Sequence, residues 1–487
     1  MAEHPFVQRH HARLHRRQNV AEIAPLPPAD PEKIKVFDGY LELLLKSANL
    51  DLQSVSAVRD SILRLKDAVA LESPSEENRK IVRTINKSFW NLYYNLAIGL
   101  FEKNEEPGRF RYFLNQGVTD ESRITPETRQ FLLGTKDPAP GKIPVLNLQQ
   151  WLKLLFTGEE MPCINELGID YVKFQRDIEK GLSTREKETF ANKTEAVKAR
   201  ERVKYEIDNM IPSVTRMMPS SFAQSILPLL QKNIGPLPGA LMTPERVRAV
   251  VEEIRSYDFS LFYRETLYRY SPTSNDIVMK EVEPFFILLP VCGDKVVFWQ
   301  EFSGTKKTSR GRIFVPMFFM GDLRKSMIKA LANYRWELNR NIKGTLWQDP
   351  VEGGLTGAFY DYVTFYKKNS KLTPEAKEKL EAVIRDNRKD SRRVFTLFYY
   401  TWIDFERKGT MRLDRVSRET FFRYMPFPKA IREELGKFPA YSDLNNKYNI
   451  ITNREIVRIE NRYKKYKDLH DGKYPPEIQE TLDFHRK

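Results

Sequence analysis

Three times this chain writes the same helix opening: "TPETRQFLL" from Thr125, "TPERVRAVVEEIR" from Thr243 and "TPEAKEKLEAVI" from Thr373. In each, the Thr hydroxyl can accept an orphan backbone N–H. The Pro sits in the first turn, where its missing donor costs nothing, and the Glu lies by the positive end of the helix. "DPEKIKVFDGYLELLLK", opening at Asp30, follows the same grammar with Asp as the cap. The flanking sequences do not match, so these are local capping signals and not a repeat. Helix starts this explicit, in a chain of 487 residues, predict a mainly α molecule of several lobes.

The β signal is confined to one place. "EPFFILLPV", "KVVFWQEF" and "RIFVPMFF" are short, rich in β-branched and aromatic residues, and separated by turn residues. They predict a small antiparallel sheet over about 277–319, inserted among helices, so the class is α+β. The expected organisation is a flexible basic tail at 1–29, a helical bundle at 30–103 and a mixed region at 104–242. The last of these carries a long charged helix at 183–210, with Phe190, Val197, Val203 and Ile207 as a thin apolar stripe. Residues 243–487 then form a basic C-terminal module, in which a long helix is expected to run from Thr373 towards Lys408.

Histidine narrows the chemistry. All six lie near the ends, at His4, His10, His11, His15, His470 and His485. With Cys163 and Cys292 the two cysteines, the body lacks zinc-ligand spacing and any Ser-His or Cys-His arrangement. No catalytic residue, metal or cofactor is assigned, and the chain is read as a binding protein rather than an enzyme. The start lacks the apolar centre of a secretory signal, and no apolar run approaches the roughly 18–20 residues of a membrane-spanning helix. A cytoplasmic protein without a transmembrane segment is expected.

The formal net charge of +15 is uneven. Residues 301–487 hold 39 Lys+Arg against 25 Asp+Glu, a surplus of +14. Such asymmetry points to an anionic partner: nucleic acid, an anionic membrane surface or an acidic protein. Two stretches could bind an anion. "QEFSGTKKTSRGRIFVPMFF" places Lys306, Lys307, Arg310 and Arg312 around a loop longer than the usual hairpin connection of about 2–5 residues. "RWELNRNIKGTLW" sets Arg335, Arg340 and Lys343 beside Trp336 and Trp347, and the Gly353-Gly354 pair beyond it opens a helix whose N–H groups could face a ligand. A third candidate is a ridge of Arg454, Arg458, Arg462 and Lys465 at helical steps of three and four. Half of the chain's 58 aromatic residues fall in the same part, 29 of them. Rings interleaved with cations would suit single-stranded nucleic acid, or a helical core with charged outer faces. Phe395, Phe398, Trp402 and Phe405 have the spacing of such a core.

The block "GGLTGAFYDYVTFYKKNSKLTPEAKEKL", residues 353–380, resembles one found in uncharacterised bacterial helical proteins, spirochaete sequences among them. The resemblance implies a bacterial cytoplasmic origin and carries no catalytic residues. The leading expectation is a non-enzymatic binding or scaffold protein whose basic C-terminal module engages an anionic partner. The alternative is a sensor or enzyme that recognises a phosphorylated small molecule or nucleotide near the sheet.

Overall fold

The computed structural model describes residues 90, 94, 97–99, 101–102, 143–162, 180, 194–214, 217, 240–271, 274–298, 310–319 and 321–487. The 1–29 tail, most of the 30–103 bundle, the opening at Thr125, the first part of the charged helix, and Lys306 and Lys307 lie outside the described residues.

β1 (Val145–Asn147) runs straight into α1 (Leu148–Thr157). Asn147 accepts the Gln150 backbone N–H at 2.8 Å and the Gln150 side chain accepts the Asn147 N–H at 3.0 Å, a reciprocal capping box. After α2 (Glu195–Val214) and β2 (Ala240–Leu241) comes α3 (Pro244–Arg255), which starts where its Thr-Pro-Glu opening predicts: the Thr243 hydroxyl accepts the Arg246 N–H. β3 (Tyr263–Ser271) and β4 (Ser274–Glu281) pair as a separate antiparallel hairpin. β5 (Phe285–Gly293), β6 (Val297–Phe298) and β7 (Arg312–Phe319) complete the strands.

The molecule is mostly helical with small sheets, α+β as expected, but the pairing differs from the antiparallel sheet the sequence suggested. The main sheet has the order β1-β5-β7-β2 and is mixed: β5 is parallel to both β1 and β7, while β2 and β6 pair antiparallel with β7. Three consecutive strand-like segments invite hairpin pairing. Here β6 pairs along the far side of β7 and leaves β5 to meet β7 directly. β1 and β2, three and two residues long, are too short to show a period. The β5–β7 register shifts between Leu289 and Cys292, where Pro290 has no N–H to give to the ladder.

Helices make up the rest: α4 (Leu323–Lys343), α5 (Gly354–Phe365), α6 (Pro374–Asp386), α7 (Ser391–Asp404), α8 (Arg415–Tyr424), α9 (Lys429–Leu435), α10 (Pro439–Arg462), α11 (Lys464–Leu469) and α12 (Pro476–Arg486). The helix expected from Thr373 towards Lys408 is thus two. Thr373 caps α6 by accepting the Ala376 N–H. The chain then breaks at Arg388 and Lys389, both at φ 58°, and Asp390 restarts it by accepting the Arg392 and Arg393 N–H groups. Left-handed φ at two consecutive side-chain-bearing residues is costly, and the new cap and the Lys389 N–H bond to the Ile384 carbonyl (2.9 Å) offset it.

One contiguous hydrophobic core runs from Val145 through the sheet to Tyr441. Leu355, Phe359, Tyr362, Val363 and Tyr366 are buried on one face of α5 and its continuation, as their spacing predicts. Trp336, Phe359, Phe395 and Phe421 meet ring against ring, and Trp402 stacks on Phe427 with centroids 4.2 Å apart. A smaller core gathers Val278, Ile459, Tyr463, Ile478 and Leu482, where the β3–β4 hairpin, α10 and α12 meet. There the Thr481 hydroxyl and Glu480 carboxylate accept the Met279 and Glu281 backbone N–H groups, covering the edge of β4. Gly357 is needed for packing: a Cβ there would overlap the carbonyl oxygen of Asp349.

Candidate functional site

The anion-binding candidates separate into cations that the fold consumes and cations that it presents. Arg312 is buried beneath the sheet. Its guanidinium lies 4.4 Å from the Trp151 ring centroid, donates to the Met161 carbonyl and forms an ion pair with fully buried Glu206 at 3.3 Å. The Trp151 indole N–H donates to the same carboxylate at 2.8 Å. The long charged helix, whose described part is α2, therefore sends Glu206 and Arg202 inward. Arg202 donates to the Leu155 and Phe156 carbonyls at the end of α1. Val203 and Ile207 are buried as predicted, while Val197 is exposed.

Arg335 and Trp336 are also internal. Arg335 grips both oxygens of Asp258 (3.1 and 2.9 Å) and donates to the Ser260 hydroxyl and the Tyr424 carbonyl. Tyr399 also donates its hydroxyl to Asp258, and Asp258 is fully buried. A buried charge that finds this many partners organises the fold. Burial, with the Asp258 charge beside it, pushes the Tyr399 pKa well above its ordinary value, so Tyr399 keeps its proton throughout the physiological range.

Arg340 and Lys343 lie closer to solvent but have partners. Arg340 pairs with Glu337 at 2.9 Å and approaches the Trp347 ring, and Lys343 pairs with Glu265 across to β3 at 2.8 Å. Arg310 rests 4.8 Å over the Phe285 ring. The N–H groups expected to be open at the start of α5 are partly taken, since Asn339 accepts both the backbone N–H and the hydroxyl of Thr356. Asp349 accepts the Val351 and Glu352 N–H groups, which holds its carboxyl below the usual range. Near the sheet, a cavity of about 120 Å³ is lined by Arg264, Glu265, Arg335 and Asn339 among others. That is below the roughly 300–1,000 Å³ typical of small-molecule sites.

The ridge is different. Arg454 and Arg458 are exposed on α10, the second bonded to Glu455 at 2.9 Å. Arg462 turns towards the hairpin and pairs with Asp276 at 3.1 Å. Lys465 lies beyond the end of α10, which stops where Tyr463 buries its ring and donates to Asp276. The ridge as spaced in the sequence is therefore interrupted, and a broader feature takes its place. Lys447 is followed by the pair Ile450 and Ile451, then Arg454, then the pair Val457 and Arg458, so each has a neighbour three or four positions away; all are exposed and share the outward face of α10. Ile450, Ile451 and Val457 are 52%, 55% and 54% exposed. Buried Tyr441, Thr452 and Ile459 mark the opposite side. The three aliphatic residues are what sequence reasoning missed. Their signal was present, as apolar residues in step with the arginines, but nothing local says which side of a helix faces water.

No helix among the described residues is long and apolar enough to cross a membrane. No cluster of three or more His, Cys, Asp or Glu among them could hold a metal ion. No curated protein and no solved structure matches the chain. Residues 344–484 match the model of a domain of unknown function, DUF8509, a span that contains the 353–380 block and the whole outward face of α10.

Proposed function

We propose that this is a non-enzymatic binding or scaffold protein of the bacterial cytoplasm whose basic C-terminal module docks on an anionic membrane surface through the outward face of α10. The observation that carries the reading is the composition of that face. Lys447, Arg454 and Arg458 alternate with three exposed aliphatic side chains, and the one carboxylate between Lys447 and Arg458, Glu455, stands at the edge of the face and pairs with Arg458. Cations draw the face to anionic headgroups while the aliphatic groups enter the headgroup boundary. Nucleic acid is less well served. Stacking needs accessible rings, and the rings concentrated in this part of the chain, Trp336, Phe359, Phe395, Trp402 and Phe421 among them, are in the core.

Co-sedimentation of the full chain with vesicles tests this. Vesicles containing phosphatidylserine should bind it, neutral phosphatidylcholine vesicles should not, and added salt should weaken the binding. R454E/R458E should reduce the affinity at least about tenfold, on an expectation of about 1 kcal/mol per cation near the surface. I450S/V457S should reduce it while leaving the salt dependence in place. Indifference to anionic vesicles at low salt would sink the proposal, and tighter binding to a single-stranded oligonucleotide than to vesicles would redirect it to nucleic acid.

A further inference from the structure

Beside the outward face of α10 lies a groove of about 550 Å³, walled by α8 and α10 and completed by Ala358 of α5 and by Phe484 and His485 of α12. Its volume falls within the range of small-molecule sites, roughly 300–1,000 Å³, and its lining surface is mostly apolar although many polar residues contribute to it. Val416, Phe422, Pro426, Leu444 and Ile451 supply the apolar lining. Phe422 and Pro426 are buried, so the groove reaches down to the main core.

Charge is asymmetric around this lining. Two carboxylates border the groove, and each already has a cation: Glu419 pairs with Lys371 at 3.1 Å and with Arg415 at 3.4 Å, and Glu455 pairs with Arg458 at 2.9 Å. Arg423 and Lys447 also border it and are exposed, and neither has a carboxylate partner among the described residues. The guanidinium of Arg423 instead lies 5.2 Å from the Tyr424 ring. An apolar channel with surplus cations at its margin is complementary to a molecule with an apolar chain and an anionic end.

We infer that the groove between α8 and α10 binds a single-chain anionic amphiphile, its hydrocarbon chain lying over Phe422, Leu444 and Ile451 and its carboxylate or phosphate held by Arg423 and Lys447. The inference does not rest on membrane docking. Lys447 and Ile451 border both, but Arg454 belongs to the outward face alone and Arg423 to the groove alone, so variants at those two positions separate them. A chain taken from a bilayer and a free fatty acid would present the same chemistry, so the test includes both sources.

The full chain should bind cis-parinaric acid saturably, seen as fluorescence enhancement, and palmitate should displace it better than uncharged hexadecanol. T420W, which places a ring in the groove, should weaken binding at least tenfold. I451E, at a position that already faces solvent, serves the same purpose should T420W fail to fold. R423E/K447E should weaken palmitate at least tenfold and leave displacement by hexadecanol within twofold. R454E, at a residue that does not border the groove, should weaken vesicle binding and leave palmitate binding unchanged, whereas T420W should keep vesicle binding, which separates free amphiphile from bilayer. Absence of saturable binding by the wild-type chain overturns the inference and leaves the groove to a macromolecular partner. Equal displacement by palmitate and hexadecanol, or binding indifferent to both T420W and I451E in folded protein, overturns it as well.

Discussion

The buried network around Arg335 and the outward face of α10 use the same residue type for opposite ends. Arg335 reaches two carboxylate oxygens, a hydroxyl and a carbonyl within 3.1 Å, whereas Arg454 is exposed, with aliphatic neighbours at 450, 451 and 457 on the same face. An arginine inside needs its counter-ion, because an unpaired charge in a low-dielectric interior costs several kcal/mol. An arginine outside is solvated by water and stays available to a partner. Where the cations sit, and not how many there are, decides which of them can act on another molecule.

That contrast breaks first at its buried end. D258N should destabilise the fold by about 3–5 kcal/mol, because it leaves the Arg335 charge without its counter-ion and also weakens the bond from Tyr399. The readout is the urea unfolding transition followed by far-UV circular dichroism. R454E should leave the same transition within about 0.5 kcal/mol, since it removes no internal partner. A D258N protein that unfolds at the wild-type midpoint would show that the network is incidental and would erase the distinction between the two regions.

An intermediate case sharpens it. Lys343 and Glu265 pair at 2.8 Å, but their side chains are 22% and 45% exposed. Solvent screens such a pair, and K343A should cost no more than about 1 kcal/mol. A loss comparable to that of D258N would mean that the pair locks α4 to β3 as firmly as Asp258 locks the core.

How far the sequence disclosed these roles can be followed residue by residue. The caps at Thr243 and Thr373, the apolar face of α5 and the segment that becomes β7 are local features, set by neighbours a few positions away, and local pattern was enough to find them. Glu206 and Arg312 are 106 positions apart, and Asp258 and Arg335 are 77 apart. No window on the chain shows that these charges will meet, so Arg312 and Arg335 look like ligand contacts until the fold brings their carboxylates to them. The same limit hid β1 and β2, which become strands because β5 and β7 are there to pair with. Among the site residues, Arg454 and Arg458 were legible as a helical row. Their aliphatic companions and the neighbouring groove depend on how α8, α10 and α12 pack.

The smallest effect concerns His485, set apart from the body of the chain by its position but half-buried in the groove wall. Burial pushes its pKa below the usual histidine value of 6.5; Glu455 opposes the shift and Arg458 reinforces it, both from α10. The folded state therefore binds this proton less readily than the unfolded chain does. The stabilising contribution is complete above pH 6.5 and declines as the pH falls through that value. Unfolding free energy measured between pH 7.5 and pH 5.5 should fall in the wild-type protein, with His485 contributing a slope of less than one proton, and H485Q should remove that part of the slope. Identical profiles for the two proteins would place the imidazole in water, and the groove would then have one wall fewer than the packing of Phe484 against it implies.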